Sequence, residues 1–331
     1  MPYKARLKTG EPRKRRKPGY RVTNARAYNQ SLRKRGMISL YVPDGDLKAQ
    51  LINARVRTPG VSGREPTYTT AYIELIFTFY RLFGWGIRQI TGYMEDYWAT
   101  RGLDIPVPSA SQLGERFASL EVSVTQRCEQ LARRLARGET ISLIVDSSGL
   151  SFGRASQWYE QKYGQKAART PWRKMHLSID EEMNVHALRI TTTEISDSEG
   201  LDAVLPAEVP LDRVIADGAY YSIERTQAFS EAGITPVIPP PTHAVVHGKP
   251  ETGWHDQITA YIKEKGIHAF QKKYGYGVRS LVEAQISRIK RCIGECLLTQ
   301  KLASQEGEGV VIANLVNLWN SFGRCVCVKN G

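Results

Sequence analysis

Cysteine is scarce, at five residues in 331, and the odd number at irregular spacings fits no disulfide framework. Cys292, Cys296, Cys325 and Cys327 are not arranged as the tight knuckle pairs of zinc sites, so no structural zinc is expected. Long apolar runs are missing too. The greasiest stretch, residues 71–83, is interrupted by Glu74 and Arg81 and does not suit a bilayer span. No secretory leader is visible, and the expectation is a soluble, cytoplasmic protein. Several catalytic signatures are absent: a Walker-type glycine loop, Gly-x-Ser-x-Gly and His-Glu-x-x-His. Cys128 has no histidine nearby in sequence. These absences exclude a nucleotide cofactor, serine or cysteine hydrolysis and zinc proteolysis as readings.

Acidic residues are almost lacking from the N-terminus, where Glu11 stands alone among thirteen Lys/Arg in residues 1–36. That segment is net +12, leaving about +1 of the total +13 for the rest of the chain. Its densest part is Arg13, Lys14, Arg15, Arg16 and Lys17. A basic arm on a near-neutral body suits a ligand with a phosphate backbone. Gly10, Pro12, Pro18 and Gly19 would interrupt the amphipathic helix of a transit peptide.

The chain divides into three parts. Residues 1–43 read as a basic, loop-rich DNA-binding arm with a short helix near 28–34. Residues 44–137 read as a helical domain. Within it, Tyr72, Leu75, Ile76, Phe79 and Phe83 share one helix face. A second helix runs from Gly86 to about Thr100, two prolines break residues 103–108, and Ser109-x-x-Gln112 opens a capped helix. Helix, break, capped helix is compatible with a helix-turn-helix, or with plain helical packing. In the first case Gln112, Glu115 and Arg116 are placed to read base edges.

From residue 138 to 331 the texture is α/β. Strands are expected at 140–146, 173–180, 185–192, up to Asp217, and at 235–238. Helices are expected at 198–206, 222–232 and 309–319, and an insert at about 239–274 carries a helix from Trp254 to Lys265. Trp254 suits stacking on an unpaired base or packing as a core or lid residue.

Asp146 ends the run Ile141-Ser142-Leu143-Ile144-Val145, and Asp217 ends Val214-Ile215-Ala216. Glu283 lies on a helical stretch with Arg279 four residues before and Lys290 seven after. At about 100° per residue these three share a face, with Val282, Ile286, Ile289 and Ile293 beside it as a core face. Three acids brought together make a cage for hard divalent ions, which favour carboxylate oxygens. Two such ions about 3.5–4 Å apart serve the attacking oxygen, the phosphoryl charge and the leaving oxygen. Mg²⁺ or Mn²⁺, two per site, is the expected cofactor, with Asp146, Asp217 and Glu283 as catalytic ligands. Arg279 and Lys290 would neutralise phosphate or orient the acid. Tyr276 would bond a phosphate or pack. Lys174 and His176, alternating on a strand, would approach DNA.

Tyr276-x2-Arg279-x3-Glu283-x6-Lys290 resembles the signature around the last acid of the DDE transposases of bacterial insertion sequences. Asp146 in Val-Asp-Ser-Ser-Gly-Leu and Asp217 in Ala-Asp-Gly-Ala-Tyr-Tyr resemble that family's first two acids, and residues 172–180 resemble the strand between them. The chain also resembles the insertion-sequence-five-type branch, with similarity from Tyr20 onward. The resemblance implies a ribonuclease-H-like catalytic domain that binds terminal inverted repeats, cleaves the element ends and joins the 3′-OH ends to target DNA. It also implies a homodimer or larger synaptic complex on double-stranded DNA, nucleoid-associated and away from membranes. Two other functions use the same features: a ribonuclease-H-like nuclease without strand transfer, and a non-catalytic repressor derived from a transposase.

Overall fold

The computed structural model describes residues 19–53, 67–153 and 171–329. The described part of the basic segment forms a short strand, β1 (Tyr20–Val22), and a helix, α1 (Ala25–Lys34). Arg33 and Lys34 occupy the last turn of α1, where the helix dipole favours cations. This segment is docked on the body. Asn24 Nδ2 donates to Arg324 O at 2.7 Å, and Trp319 Nε1 donates to Tyr41 Oη at 2.8 Å. Of the loop-rich arm expected to residue 43, the short helix near 28–34 lies within α1, and the contacts of Asn24 and Tyr41 are with the C-terminal segment. The Arg13–Lys17 cluster lies outside the described residues.

Five helices follow: α2 (Leu47–Leu51), α3 (Thr70–Phe83), α4 (Ile87–Thr100), α5 (Ala110–Ala118) and α6 (Glu129–Ala136). The Thr69 side chain caps α3 at its start, and Gly84 closes it with φ +67°, which costs glycine no Cβ clash. The Ser109–Gln112 box forms as the sequence suggests: Gln112 N donates to Ser109 Oγ, and Gln112 Oε1 accepts from Ser109 N. Helices α2 to α5 bury one aromatic-rich cluster, in which Phe77 and Phe117 stack at 4.0 Å and Trp98 Nε1 donates to Tyr72 Oη.

The sheet comprises β2 (Ile141–Phe152), β3 (Trp172–Ile179), β4 (Val185–Thr191), β5 (Leu211–Ile215) and β6 (Thr235–Val237) in the order β4-β3-β2-β5-β6. β3 is antiparallel to both neighbours, whereas β5 and β6 run parallel to β2. This mixed sheet is consistent with the ribonuclease-H-like fold. Helices α7 (Asp197–Asp202) and α8 (Ile223–Glu231) precede the insert, which holds α9 (Gly253–Lys265) and α10 (Ile267–Lys273). Next come α11 (Ser280–Cys292), a two-residue strand β7 (Cys296–Leu297) beside the far end of β2, α12 (Leu302–Ser321), and β8 (Cys327–Lys329), which pairs with β1.

Helix α12 is buried nearly all round because it is wedged between the sheet and the helical layer. Val311 and Leu315 join the aromatic cluster, while Ile312 and Val316 join the sheet's core. A Cβ on Gly309 would stand 2.8 Å from Leu188 Cδ2, so glycine permits the close approach to β4. Arg81 of α3 and Glu308 of α12 form a buried ion pair at 2.9 Å. Glu308 also accepts from Leu298 N, Thr299 N and Thr299 Oγ1, so both carboxylate oxygens are engaged. No helix among the described residues is long and apolar enough to cross a membrane.

Candidate active site

Side chains alternate across a strand, and β2 uses that alternation to separate two faces. Ile144 and Leu150 pack into the core under α11 and α12, whereas Leu143 and Val145 pack into the opposite cluster with α6 and α7. Asp146 continues the even-numbered series and so faces α11. It was expected at the end of its strand, but β2 runs on to Phe152 because β3 stays paired along it to Ser151. The parallel neighbour β5 stops earlier, with Ile215 opposite Ile144. Asp146 therefore sits where β5 leaves the strand. The departing chain carries Asp217, which caps a 3-10 turn at Gly218–Tyr220 by accepting from Ala219 N at 2.7 Å. Glu283 lies in the first turn of α11, where the helix dipole favours an acid, above the buried Val282, Ile286 and Ile289.

Arg279, just before α11, ties these acids together. Its Nη1 lies 3.3 Å from Asp146 Oδ2 and 3.9 Å from Asp217 Oδ2, and its Nη2 donates to Glu283 Oε1. The Tyr276 ring lies 5.9 Å from the guanidinium carbon. One cation against three carboxylates leaves the cluster net negative. Burial pushes the Asp146 carboxyl above its ordinary range, and the charges of Asp217 and Glu283 add to that. The Ser147 N–H and Arg279 oppose the rise. Burial also raises Tyr276. Burial alone would lower Arg279, but Tyr276 and the three acids outweigh it and hold the guanidinium charged.

Among the described residues, no three His, Cys, Asp or Glu side chains converge into a ready metal cage. The three acids are each turned on to Arg279, so the guanidinium occupies the centre that they share. Their chemistry nevertheless fits a hard divalent ion: all three are carboxylates, and their charge exceeds that of the one cation.

The remaining residues singled out in the sequence fall in several places. Lys290 is half-buried on α11 and has no ion pair among the described residues. Lys174 and His176 pair with Gly149 and Ser147, odd-numbered positions on the face away from Asp146. His176 is fully buried beneath α7, where a Cβ on Gly200 would meet its ring at 2.1 Å, and Nε2 bonds Thr191 Oγ1. With no exposed surface it cannot contact DNA; the DNA-binding expectation for His176 is corrected to a packing role. Lys174 Nζ is held by Ile195 O at 2.6 Å and Asp197 Oδ1 at 3.3 Å, so it too points away from the acids. Trp254 packs at the core's edge with Tyr274. On α5, Leu113 and Phe117 are buried, Gln112 is spent on the cap, and Arg116 Nη2 reaches Tyr68 O at 3.4 Å.

The sequence reading missed Asp197 and Ser147. Ser147 Oγ donates to Asp197 Oδ1 at 2.8 Å, directly behind Asp146. Asp197 opens α7 inside a Ser196–Glu199 capping box, and that box was the available signal.

A mixed sheet with acids on its central strand, past the end of its parallel neighbour and on the packed helix fits the class of ribonuclease-H-like nucleic-acid enzymes. A family model described as transposase DDE domain matches residues 137–318, a span that contains all three acids. A second family model of the same description matches residues 33–154. The first covers more than half of the chain, and the chain belongs to the DDE transposases, metal-dependent enzymes that cleave DNA.

Proposed function

We propose that the protein binds the terminal inverted repeats of an insertion sequence, cleaves DNA at the element's ends and joins the freed 3′-OH ends to target DNA. The observation that supports this most is the convergence of Asp146, Asp217 and Glu283 on Arg279. Asp146, Asp217 and Glu283 would hold two Mg²⁺ or Mn²⁺ ions, which would supply phosphoryl charge stabilisation and oxygen activation when bound. Arg279 holds the acids in register until DNA arrives, then turns its planar fork to phosphate oxygens. The Tyr276 ring limits where that guanidinium can swing. Lys290, unpaired on the same helix, adds a point charge for the backbone.

In this reading the Arg13–Lys17 arm supplies phosphate contacts and α5 reads the repeat through Arg116, with Gln112 available if its cap opens. Two ends joining one target require a homodimer or larger synaptic complex on double-stranded DNA. The working place is the cytoplasm, at the nucleoid. The test is a joining assay with pre-cleaved element ends, target duplex and Mg²⁺. Joined product is expected; hydrolysis of duplex without any joining would point to a nuclease instead.

A further inference from the structure

We infer that Ser147, Asp197 and Lys174 are positioning residues for Asp146, given the metal-holding role proposed for that acid: they brace its carboxylate from the opposite face of the sheet. The strand pairing shows why a brace is needed. β5 leaves β2 after Ile144, so at Asp146 and Ser147 the ladder continues on one side, to Leu177 and His176 of β3. Both oxygens of Asp146 are held. Oδ2 meets Arg279 Nη1 at 3.3 Å, and Oδ1 accepts from Ser147 N at 2.9 Å. Once Arg279 turns to phosphate, as the proposed function requires, the Ser147 N–H remains as the hold on the carboxylate.

The Ser147 side chain points across the strand, away from Asp146. There its Oγ donates to Asp197 Oδ1 at 2.8 Å. Asp197 in turn lies 3.3 Å from Lys174 Nζ, so its negative charge is offset and does not add to the repulsion among the three acids. Lys174 also donates to Ile195 O at 2.6 Å, on the chain that enters α7. The Ser196–Glu199 box fixes the start of that helix. α7 sits close on β3 because residue 200 is glycine: a Cβ there would overlap the ring of the buried His176. The links therefore run from a packed helix, through an ion pair, to the backbone of the residue that follows the acid. Partners one step removed from a metal ligand set its orientation, and losing one typically costs about 10–100-fold in metal affinity or activity. Lys174 thus serves the acid from behind.

The experiment compares wild type with Ser147→Ala, Ser147→Thr and Asp197→Ala. Ser147→Ala leaves the Lys174–Asp197 pair in place, so the helix stays fastened while the link to Asp146 is cut. Ser147→Thr keeps the hydroxyl and suits a strand. Calorimetry reads Mn²⁺ binding without DNA, alongside cleavage and joining of element ends, end binding and Tm. Ser147→Ala should weaken Mn²⁺ binding and slow both reactions by about tenfold, with end binding and Tm close to wild type, and Ser147→Thr should restore both. Because Ser147 and Asp197 act as one link, Ser147→Ala/Asp197→Ala should bind Mn²⁺ no worse than Asp197→Ala. Wild-type Mn²⁺ affinity in Ser147→Ala, or additive losses in the double variant, would overturn the inference. A lowered Tm in Asp197→Ala with unchanged Mn²⁺ affinity would show that these residues only fasten α7 to the sheet, and would overturn it too, as would a wild type that binds no Mn²⁺. A wild type that binds Mn²⁺ but joins no ends would sink the functional reading, while the Mn²⁺ titrations still decide the role of Ser147.

Discussion

Arg279 contacts all three carboxylates and would therefore compete with any cation that they hold. Like charges at about 4 Å interact by several kcal/mol in a partly buried setting. Arg279→Gln should therefore bind Mn²⁺ more tightly than wild type in the absence of DNA, on the order of tenfold by calorimetry. Unchanged or weaker binding would show that Arg279 does not compete. The turn between β3 and β4 is held by a buried carboxylate. Buried Asp180 accepts from Glu182 N, Asn184 N and Asn184 Nδ2, and pairs with His186. Burial alone would raise its pKa, but His186 and Asn184 more than offset that and the net shift is downward. A depressed folded value means that the stability is present above the unfolded value of 3.8 and lost as pH falls through the folded one. Asp180→Ala should cost about 1–3 kcal/mol in urea unfolding at neutral pH, with the gap to wild type shrinking in strong acid. A gap independent of pH would contradict the charge-based account. At this scale the sequence was informative where spacing is local, as for Arg279 and Glu283 on adjacent turns. His176 was misjudged because strand parity alone does not say which face a helix covers.

Among the elements, α12 joins the central sheet to the N-terminal helices, and its ion pair with Arg81 lies at the joint. Removing one partner of a buried pair costs more than the pair contributes, because the other charge is left unpaired. Arg81→Met should destabilise by about 3–5 kcal/mol in urea unfolding. Adding Glu308→Leu should recover only part of this, since Leu298 N and Thr299 N would then lose their acceptor. Full recovery would show that Glu308 has no capping role. The strands and the helix of Glu283 were legible because their apolar residues recur at the strand or helix period. The first two turns of α12 were not, because Gln305 and Glu308 are buried polar residues that read as surface. The length of β2 past Asp146 was hidden for a related reason: Ser147, Ser148 and Gly149 are polar or small, and only pairing with β3 makes them strand.

For the whole molecule, basic charge and acid chemistry occupy different parts of one chain. In the proposed function the N-terminal segment would supply cations for a phosphate backbone, and the sheet with α11 would supply the carboxylates. Deleting residues 1–19 should weaken binding to every duplex and flatten the salt slope, as measured by titration at several salt concentrations. An unchanged slope would mean that Arg13–Lys17 does not touch DNA. The most direct test of the central claim is divalent-metal-dependent cleavage and joining of element-end DNA by Asp146→Ala, Asp217→Ala and Glu283→Ala, with end binding measured in parallel. Each variant is expected to bind ends nearly as wild type does and to lose both reactions. Near-normal strand transfer in Mg²⁺ by any one of them would contradict a single site built from these three acids.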